Sequence, residues 1–494
     1  VLHRHHVIVG FEVMKTEKVV ARLVFLVGPD HVHVDDETVS HFAQDLFFTG
    51  QSPLAVIAPA SAEETSKAVK LCTDEGIAVL PRGGGLSYTA GYIQTDDAAP
   101  PAVVVDTRRL NTVLEVSPEN MTVTAESGCT WEQVMDATSQ HGLRPVMFGP
   151  STGRFSTLGG SLSNNCMFFG SANNGTAADA ALGVDVISAD GSLIRTGSGA
   201  IQNGKPFYRN NGPDLTGLFL ADGGALGVKV AATLRLEKIP TGRAYASFSF
   251  TSFDTLIPAI QEIGRSGLAS ECLGLGPAPL DHQAGGAPTL HVVCEGWTQA
   301  IADEKVKAVR EIVSAEGSTI EPGMPTFIRE NTFTFVQSSL DAAGRLQIWT
   351  HGIFAIGDTV KAYEGFMAVM RSHAREMADL EIEATLSFAC AGTAMMVEPV
   401  LRWQGPVSHL HRTGMGKEEK SIEESAETKN REARVRLIRE DFRTKMDALG
   451  AAHMQYGRFY EYASVTENNT VRLLESIKKT LDPKGLLNPG VLGL

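Results

Sequence analysis

Pro81-Arg82-Gly83-Gly84-Gly85-Leu86-Ser87 follows directly on an apolar run, Ile77 to Leu80, and this junction decides the fold. Consecutive glycines let the backbone take positive φ and turn several N–H groups into one concavity, an anion cradle. The spacing is neither G-x-G-x-x-G nor G-x-x-x-x-G-K-S/T, so nicotinamide-first and nucleotide-hydrolysis readings lose their usual support. The preceding run closes a β-α-β unit. Its first strand is Ala55 to Ala60, and the capping box Ser61-x-x-Glu64 opens a helix to about Glu75. Two further loops offer glycines and small hydroxyls for backbone contact: Pro150 to Asn165, which holds Ser151, Thr157, Gly159, Gly160, Ser163 and Asn164, and Gly223-Gly224-Ala225-Leu226-Gly227-Val228. Three such loops suit one long, polyphosphate-containing cofactor.

Outward from the loops, strands are expected at Ala102 to Asp106, Thr112 to Val116 and Met121 to Ala125. The box Thr130-x-x-Gln133 then opens a helix to His141, which Gly142 stops. Asp190-Gly191 tolerates positive φ at both turn positions and joins Val184–Ala189 to Ser192–Thr196 as a hairpin. At Pro240, Thr241 and Gly242 the glycine-rich loops give way to longer helical patterns. Beyond lie expected strands at Ala244–Phe250, Leu290–Cys294, Leu346–Phe354 and a pair within Glu383–Trp403, with helices at Ala300–Ser314, Thr359–Met377 and Glu424–Ala448. Gln404 to Glu423 has charge and glycine but little periodicity, the pattern of a loop or lid. The domains are therefore 1–49 (N-terminal segment and helix), 50–240, 241–450, and 451–494, a tail returning to the first domain.

The chain has 494 residues, enough for two or three domains, and a net charge of −14 repels phosphate backbones and anionic membranes alike. No nucleic-acid partner is expected. The six cysteines form no C-x-x-C pair, which argues against a disulfide framework or a cysteine zinc site. Charges interrupt Val7–Val13 and Val19–Gly28, so neither run is long enough to span a bilayer, and a cytoplasmic location is expected.

In chain order the motifs read P-R-G-G-G-x-S, P-S-T-G-x-x-S-T-L-G-G, D-L-x-G-L-F with G-A-L-G-V, and D-P-K-G-L-L-N-P-G. Together, over nearly the whole chain from about Gly50, they resemble the vanillyl-alcohol oxidase / p-cresol methylhydroxylase superfamily of FAD-linked oxidoreductases. The resemblance implies an α+β fold: a two-part FAD-binding domain of the p-cresol methylhydroxylase (PCMH) type, and a ferredoxin-like-type cap with an antiparallel sheet and flanking helices. It implies FAD held by Pro81, Arg82, Gly83, Gly84, Gly85, Leu86 and Ser87, by Pro150, Ser151, Thr157, Gly159, Gly160, Ser163, Asn164 and Gly170, and by Gly227, Val228 and Asn488. Relatives that bind flavin covalently place histidine after the glycine triplet, or histidine or tyrosine in the cap strand; here Leu86 and Met395-Met396-Val397 stand there, so FAD is expected to be noncovalent. The hydroxy-acid dehydrogenase branch carries G-H-x-G-D-G-N-x-H, whereas Cys390 to Glu398 lacks both histidines, and no metal is expected.

The resemblance also implies hydride transfer from an alcohol-type carbon to flavin N5, with reoxidation by oxygen or an electron carrier. Phenol-oxidising members hold a phenolate with two tyrosines and an arginine, since positive charge and O–H donors favour the ionised form. Tyr88, Tyr456 and Arg458 are the candidates, with Gly457 inserted between the last two and Ser151 where those members have an acidic residue. Packing with a bonded hydroxyl is the competing reading of both tyrosines. Glu398, a carboxylate in an apolar strand, needs a partner, and Arg402 and His409 could clamp a carboxylate or serve as base. An aromatic or phenolic alcohol is thus the expected substrate. A D-2-hydroxy acid, a non-redox reaction like that of alkyl-dihydroxyacetone-phosphate synthase, and a silent FAD-binding scaffold are the alternatives; a homodimer is an open option.

Overall fold

The computed structural model describes residues 16–96, 98–278, 286–333, 340–341, 344–407, 411 and 425–494. Three sheets carry the architecture. The first joins β1 (Val32–His33), β2 (Ala55–Ile57), β3 (Ala78–Arg82) and β4 (Ala102–Asp106) in the order β1-β2-β4-β3, with β4 parallel to both of its neighbours. Both parallel pairings bury apolar residues on two faces, which explains the unbroken Val103-Val104-Val105 run. Ser61 caps the crossover helix Ala62–Asp74 by accepting from Glu64 N, at 3.1 Å. A helix over 16–27 packs on the same core through Val19, Leu23 and Val27, its i, i+4, i+8 stripe.

The second sheet comprises β5 (Val113–Ser117), β6 (Thr122–Glu126), β7 (Leu143–Pro145), β8 (Ala181–Ile187), β9 (Leu193–Arg195) and β10 (Val228–Lys238), with β10 central and antiparallel to β6, β7 and β8. The reciprocal Thr130/Gln133 box forms as expected, and the β8–β9 hairpin forms with positive φ at Gly191 (+83°) but not at Asp190.

The third sheet belongs to the cap: β11 (Gly242–Phe250), β12 (Glu271–Pro277), β13 (Thr289–Gly296), β14 (Gly317–Ile320), β15 (Leu346–Trp349), β16 (Gly352–Ala355), β17 (Glu383–Ala391) and β18 (Ala394–Trp403), all paired antiparallel. Helices Gln299–Val313, Thr359–Asp379 and Ala426–Ala448 flank it. Three details differ from the sequence reading. The helix Phe253–Ser266 runs through Pro258, which reads as a breaker, and β12 beside it was not anticipated. The single strand expected over Leu346–Phe354 is two, because Pro399 opposite it has no N–H to complete the rung; Thr350 N donates to Pro399 O, and His351 N donates to the Tyr460 hydroxyl instead. The proposed lid lies almost wholly outside the described residues.

Two ties bind the layers. The tail pairs with the first sheet, Val79 N donating to Leu486 O and Asn488 N to Val79 O. Between the second sheet and the cap, Arg144 and Arg329 both donate to the buried Glu295, and Arg144 also to Glu237. Burial pushes the Glu295 carboxyl up, but the two guanidiniums outweigh it and hold it down at about 2.

Candidate active site

β3 ends at Arg82, and the glycine loop turns under it. A side chain on Gly84 would strike the Phe155 carbonyl, and Gly85, at φ +70°, lies over the Arg82 guanidinium. Only glycine lets these two loops touch. Arg82 is 3% exposed, its guanidinium 4.2 Å from the Phe42 ring centroid, and its Nε and one terminal nitrogen have no protein partner. The loop borders a cavity of about 450 Å³ that runs from the three glycine loops to the cap sheet.

The cap wall follows from strand alternation. Residues two apart face the same side, so Leu273 and Leu275, Gln347 and Trp349, Thr385, Ser387 and Ala389, and Met396, Glu398, Val400 and Arg402 all line the cavity. Register sets Ser387 opposite Glu398, and the serine hydroxyl donates to Glu398 Oε2 at 3.4 Å. Burial pushes this carboxyl up to about 8, opposed only by that hydrogen bond. Arg402 Nε donates to Gln347 Oε1 at 3.2 Å, and burial lowers its pKa. Tyr88 faces them from the loop after the glycines; Gln455 Nε2 donates to its hydroxyl at 3.4 Å, and burial, then the Glu398 charge, raise its pKa well above the usual value. Behind it the fully buried Arg439 donates to Tyr88 O and Thr350 Oγ1.

Of the expected cofactor residues, Pro81, Arg82, Gly83, Gly84, Gly85, Leu86, Ser87, Pro150, Ser151, Thr157, Gly159, Gly160, Ser163, Asn164 and Gly227 line the cavity. Three do not. Gly170 is a helix N-cap whose N–H donates to Glu271, Val228 is buried in the first core, and Asn488 braces the loops by donating to Gly91 O and Gly223 O, both at 2.7 Å.

Among the catalytic candidates the structure brings Tyr88, Glu398 and Arg402 together and sends Tyr456 and Arg458 elsewhere. The Tyr456 hydroxyl accepts from His453 N at 3.3 Å, and its ring packs edge-on to Tyr462. Arg458 donates to Ala90 O, Asn488 Oδ1 and Pro489 O, bolting the tail to the loop after the glycines. The cause is Gly457 at φ +53°, pressed against Thr89 O, which accepts from both Arg458 N and Phe459 N; Met454 and Gln455 reach the cavity instead. His409 lies outside the described residues. Gln347, Thr385 and Ser387 were not singled out from the sequence; the Thr385-x-Ser387 alternation in an apolar strand was the available signal.

The FAD binding domain family matches residues 53–197, and the C-terminal domain of FAD linked oxidases matches 449–492. The chain thus carries an FAD binding domain and the C-terminal domain found in FAD linked oxidases. A mitochondrial D-lactate dehydrogenase [cytochrome] of Kluyveromyces lactis is 24% identical over 94% of this chain and 77% of its own length. Glycolate oxidase subunit GlcD of Bacillus subtilis is 28% identical over 51% of each chain, so the match spans about half of that relative. In fold, p-cresol methylhydroxylase superposes with a TM-score of 0.76 over 97% of both chains at 16% identity. Alkyldihydroxyacetonephosphate synthase gives 0.68 over 96% of this chain and 84% of its own, also at 16%. The cavity fits FAD: the glycine loops admit close backbone approach, and Arg82 and Ser127 present buried polar atoms without protein partners. No described helix is long and apolar enough to cross a membrane.

Proposed function

We propose that this FAD-linked oxidoreductase oxidises the hydroxyl-bearing carbon of an extended hydroxy acid, one whose carboxylate lies several bonds from the reacting carbon. The observation that carries this reading is the placement of Glu398 and Arg402 on one face of β18. Four residues of strand separate their backbones by about 13 Å, at ~3.3 Å each. Glu398 is bonded to Ser387 on one flanking strand and Arg402 to Gln347 on the other, so neither side chain is drawn toward its partner along β18, and the space between them suits a longer acid rather than a lactate-sized one. FAD, when bound, supplies the acceptor for the hydride that leaves the carbon. Glu398 in its carboxylate form takes the hydroxyl proton, and the Ser387 hydroxyl steadies the oxygen that does not. Arg402, aligned by Gln347, holds the substrate carboxylate. Leu273, Leu275 and Met396 keep water from the reacting carbon.

The relatives by sequence support hydroxy-acid oxidation as a class, while the preference for an extended acid rests on the placement of Glu398 and Arg402 alone. The phenolic reading retains one observation, the Tyr88 and Trp349 rings in the cavity wall, but Tyr456 and Arg458, two of its three phenolate-holding residues, are bound elsewhere. The deciding experiment is anaerobic mixing with D-2-hydroxyglutarate, D-lactate and 4-hydroxybenzyl alcohol, following loss of the oxidised flavin band. Fastest bleaching by the first is expected. Bleaching by the phenol alone overturns the proposal, and none with any alcohol turns attention to non-redox chemistry.

A further inference from the structure

Directly after the third glycine loop, Lys229 is the single charged residue between Val228 and Leu234 of β10. It lines the cavity, is 4% exposed, and its ammonium donates to Asp222 Oδ1. Asp222 is 2% exposed; Oδ1 also accepts from Gly224 N at 3.1 Å, while Oδ2 has no partner. Ser127, whose N–H donates to Val230 O on the same strand, lines the cavity too, is 1% exposed, and its hydroxyl is unpartnered. Burying an ion pair costs desolvation that an apolar pair of the same size would avoid, so packing alone does not call for these residues. A lysine ammonium has three N–H donors, and Asp222 takes one. Lys229 and Ser127 are thus buried polar residues in the wall of the FAD-binding half of the cavity, and Asp222, outside that wall, anchors the ammonium.

We infer that Lys229, held in place by Asp222, is a cofactor-selecting residue: it donates to the adenosine diphosphate half of FAD, beside Ser127, and so discriminates FAD from FMN. The inference rests on the assignment of the cavity to FAD. FMN ends at a single phosphate and lacks the adenylyl group, so Lys229 and Ser127 are engaged only by the longer cofactor.

The test is flavin binding to full-length protein stripped of its cofactor, followed by flavin fluorescence. Removing Lys229 alone strands a buried carboxylate, so the variant pairs Asp222→Asn with Lys229→Met. The FAD Kd is expected to rise at least about tenfold, as for loss of one charge-assisted hydrogen bond, while the FMN Kd stays within about threefold. An unchanged FAD Kd, or equal weakening of FAD and FMN, overturns the inference. A second measurement needs no variant: ADP, which carries only the adenylate half, should displace FAD from the wild-type protein, and failure to do so at millimolar ADP also overturns it. Wild-type protein that takes up neither flavin would instead sink the FAD assignment of the cavity.

Discussion

Replacing Glu398 with glutamine separates the site's chemistry from its cost to the fold. The carboxyl is 6% exposed, with one hydrogen bond from Ser387, and burial moves its pKa from the ordinary 4.5 to about 8. At about 1.4 kcal/mol per pH unit, that displacement penalises the charged form by roughly 5 kcal/mol. Because the folded value lies above the unfolded one, the folded protein keeps a proton that the unfolded chain has released between pH 4.5 and 8. Stability attributable to this group therefore falls as pH rises through that window, and the full penalty applies above 8. Glutamine fills the same volume, can still accept from Ser387 and never ionises. Urea or thermal unfolding of Glu398→Gln and wild type should coincide near pH 4.5 and diverge steadily, the variant being more stable by at least about 2 kcal/mol at pH 9. Flavin reduction by substrate should fall at least ~100-fold, the usual loss on removing a general base, and wild-type kcat/KM should rise with pH toward a plateau above about 8. Stability curves for the two proteins that run parallel from pH 5 to 9 would refute the reasoning.

Arg402→Met should raise KM for a carboxylate substrate about 10- to 100-fold, the value of a charge-assisted hydrogen bond, and leave a neutral alcohol unaffected in steady-state assays. Gly84→Ala puts a methyl group into the Phe155 carbonyl, so the protein should purify with little of its yellow flavin absorbance. Glu295→Gln removes the shared acceptor of Arg144 and Arg329; scanning calorimetry should show a loss of about 3–5 kcal/mol, as when a buried ion pair is broken. With Leu86 in the cavity wall, acid precipitation should leave the flavin in the supernatant; colour in the pellet would mean a covalent link.

The sequence made the cofactor end legible and the reacting end much less so, for a physical reason. A glycine required by the close approach of two backbones, such as Gly84 against Phe155, leaves a contiguous mark, and fifteen of the eighteen expected cofactor residues line the cavity. The β-α-β unit and the capped helices are legible because their hydrogen bonds close within a few residues, as between Ser61 and Glu64. The substrate wall is assembled from four strands whose register is fixed only in the folded sheet, so Gln347 meets Arg402 across 55 positions of sequence.

Tyr456 and Arg458 illustrate the opposite hazard. Their residue types suit a phenolate, and motif order puts them in the expected place, yet one left-handed glycine between them redirects both side chains into structural bonds with the tail and the post-glycine loop. Glu398 was found by a different kind of argument: an ionisable group among apolar neighbours is costly wherever the chain runs. That reasoning did not depend on register, and it applies with equal force to Lys229, another buried charge in an apolar stretch that lines this cavity. Both line one cavity, and the roles proposed for them are proton acceptor for the substrate at Glu398 and donor to the cofactor at Lys229. Burial energetics thus singles out charged residues of the cavity wall that motif matching, tuned to the glycine loops, passes over.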